Sequence, residues 1–212
     1  MTDKAKRFLM ALDFGTGAGR CFLVEVSGRE HYSAYCEWAF DTPPDAQPGG
    51  FSFDPVTSWE VLGQAAKAAM KRGGVGPEQV VAVSSTSLRE GFVLLDDSGK
   101  EIFAVPNVDA RAVAESVEIS ERFGQRMNDV SGHWPNPIMA PSRFLWLQRH
   151  KPETVARART LLMINDWMLY RLCGERACEP TNAAETCLYD IAGHCWDEDL
   201  IRANQIPVGI FP

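Results

Sequence analysis

Residues 10–20 read MALDFGTGAGR, with glycines at every second position directly after an apolar run, and the chain continues into a second apolar run, CFLVEV. A dinucleotide-binding turn needs G-x-G-x-x-G opening into a helix. Gly15, Gly17 and Gly19 are spaced two apart and lead into a strand-like run instead. The stretch therefore predicts a glycine-rich turn between two short strands, Phe8–Asp13 and Cys21–Val26, the second ending at Ser27-Gly28. Strands joined this closely are antiparallel. An aromatic-rich run, His31–Phe40, extends the pair to a meander, and the prolines and glycines of Asp41–Gly50 make DTPPDAQPGG a surface loop.

Downstream, Asp54-Pro55 supplies an N-cap and a first-turn proline, and Trp59, Leu62, Ala66 and Ala69 recur at helical spacing until Gly73-Gly74. VVAV, residues 80–83, reads as a buried strand running into SSTSLREG, and FVLLDDSGKEIFAVPN as two strands around an Asp97-Ser98-Gly99 turn. Helices are expected from near Asp109, from near Pro141 and, one or two of them, over Pro152–Leu172. A meander, a helix, a strand, a hairpin and then mostly helices make an α/β chain with a mixed sheet, not the regular alternation of a doubly wound fold. No repeat or linker is visible. The stop at IPVGIFP, without a closing helix or polar tail, is what a larger protein cut after its first domain would show.

Composition narrows the partner. With 212 residues, 45% of them hydrophobic, the chain can form one large domain or two small ones. A net charge of -7 and a pI near 5.1 argue against a nucleic-acid surface or a membrane-surface helix, leaving a small molecule or another protein. No apolar run approaches the roughly 20 residues that span a bilayer, and no cleavable leader is evident, which predicts a cytoplasmic protein. The six cysteines are scattered without C-x-x-C pairs, and His31, His133, His150 and His194 are dispersed. Reduced thiols and packing or surface histidines are expected, not a metal site.

Two stretches carry chemistry. In the glycine turn, backbone N–H groups can cradle an anion if the glycines supply positive φ angles and close approach. Thr16 adds a hydroxyl, Arg20 a fixed positive charge, and Asp13 a carboxylate able to orient hydrated Mg2+. A bland hairpin with a surface Asp and Arg would look the same. The second stretch places Arg89 beside Glu90 at a strand end. Such a pair can simply face solvent, or its planar donors and acceptors can together cover vicinal hydroxyls of a polyol.

D-x-G-T-x-x-x-R between two strands resembles the first phosphate motif of the actin, hexokinase and heat-shock-protein-70 superfamily, whose ribonuclease-H-like domain begins with such a meander. Further on stand SLREGFVLLDDSG (Ser87–Gly99), PNVDARA (Pro106–Ala112), SRFLWL (Ser142–Leu147), INDWMLYRLCG (Ile164–Gly174), PTNAAET (Pro180–Thr186) and the final IPVGIFP. In this order they resemble, along the whole chain, the N-terminal domain of the FGGY carbohydrate kinases. SLREG and NVDARA are most similar to the autoinducer-2 kinase subgroup. Asn107 stands where glycerol kinases carry a tryptophan, and an apolar stretch around Ile138 stands near their substrate tyrosine; both weigh against glycerol.

The resemblance implies an α/β, ribonuclease-H-like (actin-like ATPase) domain with a mixed central sheet and flanking helices. Residues 1–212 would be the substrate-binding, phosphate-loop domain, and the C-terminal nucleotide-binding domain is absent from this chain. It implies ATP and Mg2+ as cofactors, the chain's own C-terminal domain as partner, and a homodimer as an admissible state. The reaction would transfer the ATP γ-phosphate to a hydroxyl of a small sugar or polyol, such as autoinducer-2 or a pentulose. Asp13 would position the metal through water, Gly15, Thr16 and Gly17 would approach the phosphate, and Arg20 would support the loop or neutralise charge. Arg89, Glu90, Asn107 and Asp109 would line the sugar pocket, with Asp109 contacting substrate or capping its helix. The general base is expected beyond Pro212, so the chain alone is expected to be inactive. Asp166 is read as the cap of the helix through Trp167. Trp59, Trp146 and Trp167 are read as packing, Trp134 as bordering the substrate side, and Asn182 as serving the cleft or a turn. The rival class, an actin-like or chaperone-like ATPase module, has no need of an Arg-Glu pair aimed at a ligand.

Overall fold

The structure, a computed structural model, describes residues 6–212. It comprises two compact units, one taking in the chain up to Ala39 with Asp54–Ser87, the other Phe40–Phe53 with Leu88–Pro212.

The first unit holds β1 (Phe8–Phe14), β2 (Ala18–Glu25), β3 (His31–Glu37), α1 (Pro55–Gly73) and β4 (Val80–Ser87). They form a four-stranded sheet in the order β3-β2-β1-β4, antiparallel except for the parallel pair β1–β4, so the expected mixed sheet is present. A parallel pair needs a crossover, which α1 provides. Asp54 caps that helix, accepting from Val56 N at 2.8 Å and Thr57 N at 3.0 Å, and Gly74 ends it in the left-handed region at φ 59°. The buried stripe is Ser58, Leu62, Ala65 and Ala69, which packs on β2 and β3. Leu62 and Ala69 therefore face the sheet as expected, while Trp59 and Ala66 sit one position round the helix and are half-buried. Small residues along the stripe let the helix approach the sheet closely.

Period-2 alternation puts Phe8, Leu12 and Phe14 of β1 and Cys21 and Leu23 of β2 in the core. Asp13 and Arg20 fall on the opposite face, beside the exposed Leu9 and Phe22. The expectation of a buried VVAV strand is corrected. β4 pairs only with β1 among the described residues, and Val81 and Val83 are 40% and 39% exposed on this sheet edge. Its apolar run suits a strand buried on both faces, but burial depends on neighbours that local sequence does not supply.

The second unit continues with β5 (Phe92–Leu95), β6 (Glu101–Val105), α2 (Val113–Ser131), α3 (Ala140–His150), α4 (Pro152–Arg157), β7 (Thr160–Met163), α5 (Ile164–Cys173) and α6 (Pro180–Ala184). The small hairpin β8 (Tyr189–Asp190) and β9 (Cys195–Trp196) and the helix α7 (Glu198–Ala203) follow. β5 lies between β6 and β7 in an antiparallel sheet, and all four of its side chains are fully buried. Each of these apolar side chains contributes about 1.5–3 kcal/mol of burial free energy. The turn between β5 and β6 forms as expected, with Gly99 at φ 81° and Asp96 Oδ1 accepting from Ser98 N and Lys100 N.

The expectation of helix throughout Pro152–Leu172 is corrected by β7, whose TLLM run is too short for its period to separate strand from helix. α2 starts at Val113 instead of near Asp109, and its N-cap, Ala112, makes no side-chain cap bond. Trp146 and Trp167 are buried as expected, Trp59 is only half-buried, and Trp134 is 48% exposed with its Nε1 donating to Ser120 Oγ. Among the described residues no helix is long and apolar enough to cross a membrane, and all six cysteines are free.

Candidate functional site

The glycine turn is built by strand register. β1 and β2 pair Asp13 with Arg20, so their side chains emerge side by side and Arg20 Nη1 lies 2.9 Å from Asp13 Oδ2, with both groups partly exposed. Only Gly15–Gly17 separate the strands, and Gly15 N donates to Ala18 O at 3.0 Å. Trp38, just past β3, buttresses this turn. Its backbone N donates to Gly17 O and its Nε1 to Gly15 O, each at 3.2 Å, while its ring centroid lies 4.4 Å from that of Phe14. Thr16 and Gly17 remain exposed at the tip.

The expected reason for the glycines is half corrected. None of Gly15, Gly17 and Gly19 has a positive φ, so the turn is not a left-handed nest. Close approach is what requires them. A side chain at Gly15 would collide with the Arg20 guanidinium, and one at Gly19 would lie 2.6 Å from the Trp38 ring. At Gly17 a side chain would meet nothing within 4 Å, so on the protein's own account that position is free.

In the second unit the centre of the polar cluster is Arg143 on α3, a guanidinium with no exposed surface. Its Nη1 donates to Glu90 O at 2.8 Å, its Nη2 to Pro106 O and Asp109 O at 2.8 Å, and its Nε to Asp109 O at 2.9 Å. Asp109, equally buried, accepts from Arg111 Nε at 2.7 Å and Phe51 N at 2.8 Å, and its Oδ2 lies 3.2 Å from Arg143 Nε. Burial lowers the Arg143 pKa to about 10, the Asp109 charge opposing, so the guanidinium stays protonated at neutral pH. Asp109 is spent on these bonds and does not cap α2. Its carboxylate has no exposed surface and can reach a ligand only through the groups it holds.

Arg143 thus fixes the backbone on which the other predicted residues stand. Glu90 is held at φ 60°, a strained conformation for a non-glycine residue, with its carbonyl on Arg143. Its carboxylate lies 3.7 Å from Arg89 Nε, and Asn107 is half-buried in the Pro106–Asp109 turn. The structure therefore gathers Arg89, Glu90, Asn107 and Asp109 into one assembly. Burial raises the Glu90 pKa above the ordinary carboxylate range; the charge of Glu185 adds to this and Arg89 opposes it.

Sequence reasoning overlooked Arg143, Trp38 and Glu185. A basic residue among the apolar side chains of SRFLWL was the one available signal for Arg143. Asp166 is corrected: Met163 is the N-cap of α5, and the Asp166 carboxylate accepts from Glu179 N at 3.0 Å, tying down the start of α6. Burial pushes its pKa up to about 7, with the Glu179 N–H opposing and the Glu179 charge adding. Asn182 lies in α6, and its N and Nδ2 donate to the carboxylate of Glu179, the N-cap of that helix.

The antiparallel meander with a parallel fourth strand beyond its crossover helix defines a ribonuclease H-like, actin-like ATPase domain. Solved structures agree on the fold. A gluconate kinase from Lactobacillus acidophilus matches with a TM-score of 0.88 at 19% identity, covering 98% of this chain and 42% of its own. A Plasmodium falciparum glycerol kinase with ADP matches with a TM-score of 0.82 at 21% identity, covering 98% of this chain and 42% of its own. The chain belongs to the FGGY family of carbohydrate kinases, whose N-terminal domain it matches over residues 8–212. Among curated relatives, the autoinducer-2 kinase of Salmonella typhimurium is 35% identical over 198 residues, 92% of this chain and 37% of that protein. The chain thus spans well under half the length of that relative.

For a divalent cation the donor set is sparse. No group of three or more His, Cys, Asp or Glu among the described residues could hold a metal. A single, partly exposed carboxylate such as Asp13 fits Mg2+ held through water, since that ion keeps several waters and takes few protein ligands. Exposed Thr16 and the free space over Gly17 fit a phosphate group approaching the turn.

Proposed function

We propose that this chain is the sugar-binding, phosphate-loop part of an ATP-dependent kinase that phosphorylates a hydroxyl of a small sugar. Autoinducer-2 is the first substrate to test, on the strength of the relative at 35% identity, and a pentulose such as xylulose the second. The observation that carries this reading is the Arg89–Glu90 pair, strained at Glu90 and pinned by a buried arginine. Backbone strain and a guanidinium buried to hold carbonyls cost free energy that a solvated surface pair would not require. Arg89, Glu90 and Asn107 contact the sugar hydroxyls, and Asp109 holds their backbone through Arg143.

At the glycine turn Gly15, Thr16 and Gly17 receive the phosphates, Arg20 contributes positive charge, and Asp13 would hold Mg2+ through water. When bound, that ion neutralises and aligns the phosphates. The base that accepts the sugar proton is an Asp beyond Pro212, and a C-terminal nucleotide-binding domain supplies the rest of the ATP site. The whole protein works in the cytoplasm, where ATP is available, as a monomer or homodimer. An actin-like or chaperone-like ATPase would share the turn but leave the Arg89–Glu90 assembly without a purpose.

Phosphorylation of autoinducer-2, ketopentoses and glycerol by the full-length protein and by residues 1–212 tests the reading. Turnover by the full-length protein and none by the shorter chain is expected. ATP hydrolysis indifferent to every sugar would refute the kinase assignment, and turnover by residues 1–212 alone would refute the placement of the base.

A further inference from the structure

The environment of Glu185, at the end of α6, goes beyond what the sugar-kinase reading requires and deepens it. Its side chain is nine-tenths buried, as is that of Glu90, and the two carboxyl groups lie within hydrogen-bonding reach of each other while their cationic partners stand off. Arg89 Nη1 stands 3.4 Å from Glu185 Oε1, Arg89 Nε 3.7 Å from Glu90 Oε1, and His133 Nδ1 3.9 Å from Glu185 Oε2. All three are longer than the 2.7–2.9 Å of a strong charge-assisted hydrogen bond. The arginine they share is itself mostly exposed, its side chain at 69%. Glu185 and His133 also line a cavity of about 380 Å³ whose wall includes Thr181, Tyr189 and His194. A buried carboxylate on a cavity wall whose cationic partners are held loosely, as Glu185 is, suits a ligand that brings its own hydrogen-bond donors.

Resting on the kinase reading, we infer that Glu185 is a specificity-determining residue of the sugar site. With Glu90 it forms a carboxylate pair, bridged by Arg89, that accepts hydroxyl donors of a neutral polyhydroxylated substrate and rejects an acidic sugar. An ionised carboxylate is acceptor-only, so a polyol satisfies the pair by donating O–H groups. A carboxylate or phosphate on the substrate would instead face two buried acidic groups with a single guanidinium between them, and like charges at this range repel strongly in a poorly solvated site.

The test uses the full-length protein with D-xylulose as the neutral sugar, autoinducer-2 in parallel, and D-gluconate as the acidic one. Wild type is expected to phosphorylate a neutral sugar with kcat/KM at least a hundredfold above that for gluconate. Glu185→Gln is expected to raise KM for the neutral sugar at least tenfold, with kcat falling less than KM rises, and to narrow the preference over gluconate at least tenfold. Glu185→Asp, which keeps the charge, should retain the preference. Unchanged KM and preference in a folded Glu185→Gln overturn the inference while leaving the kinase reading intact. Should both variants fail to fold, the wild-type panel decides, and gluconate turnover within tenfold of the best neutral sugar overturns it. A wild type inactive on every sugar overturns both readings together.

Discussion

Replacing Arg143 by lysine separates the charge of this residue from its shape. The guanidinium makes four hydrogen bonds to the carbonyls of Glu90, Pro106 and Asp109 from three different nitrogens, all inside a site without solvent. A lysine ammonium keeps the charge and three donors but concentrates them on one atom of a shorter side chain. It can serve one or two of the carbonyls and must abandon the rest. Each buried acceptor left unsatisfied costs about 1–3 kcal/mol, so Arg143→Lys should destabilise by about 2–4 kcal/mol. At about 2–4 °C per kcal/mol for a domain of this size, the melting temperature falls by about 5–15 °C. Arg143→Met also strands the Asp109 charge with Arg111 alone, which adds about 3–5 kcal/mol and brings the total near the stability of an ordinary domain. Thermal unfolding followed by circular dichroism measures both variants, and a double-mutant cycle with Asp109→Asn should return a coupling of at least about 1 kcal/mol. A melting temperature for Arg143→Lys within about 2 °C of wild type, or a cycle that is simply additive, would show that the buried guanidinium does not hold this cluster together.

The raised pKa of Asp166 sets a pH dependence whose sign follows from linkage. The folded state binds this proton more tightly than the unfolded state, so the stabilisation is complete below the unfolded value near 3.8 and is lost as the pH rises through about 7. Stability measured by urea unfolding should therefore fall by about 2–3 kcal/mol from pH 5 to pH 8, and Asp166→Asn should flatten that slope; an unchanged slope in the variant would rule Asp166 out as its source. Gly19→Ala should destabilise by about 1–3 kcal/mol because the added methyl meets the Trp38 ring, whereas Gly17→Ala should change stability by less than about 0.5 kcal/mol, and equal effects would contradict the steric account. Arg20→Ala breaks an exposed ion pair worth at most about 1 kcal/mol to the fold, yet should weaken ATP binding by the full-length protein at least tenfold in calorimetric titration.

The first unit was largely legible because its determinants are local. Asp54 caps α1 from the adjacent residues, Gly74 ends it, and the turn between β1 and β2 is only as long as Gly15–Gly17. Where legibility failed, the missing information lay far away in sequence. Arg143 is 53 residues from Glu90, Glu185 is 96 from Arg89, and Trp38 is 23 from the Gly15 carbonyl it holds. The expectation of positive φ failed because the glycines answer to the Arg20 and Trp38 side chains, whose approach is set by strand pairing and not by the turn itself.

Read alone, Arg89-Glu90 cannot be distinguished from a solvated surface pair, and Arg89 is in fact mostly exposed. What changes its meaning is asymmetric burial. Glu90 is drawn inside at φ 60° by a guanidinium that makes four hydrogen bonds, all of them to backbone carbonyls. A fold that needed only stability would pair that buried carboxylate directly with the nearby buried cation. Using the cation to fix the backbone, while the carboxylate is left to loose partners and Glu185, preserves acceptors for a ligand. Both the strain and the Glu90–Glu185 repulsion are therefore expected to relax on binding, making sugar a stabiliser of the second unit.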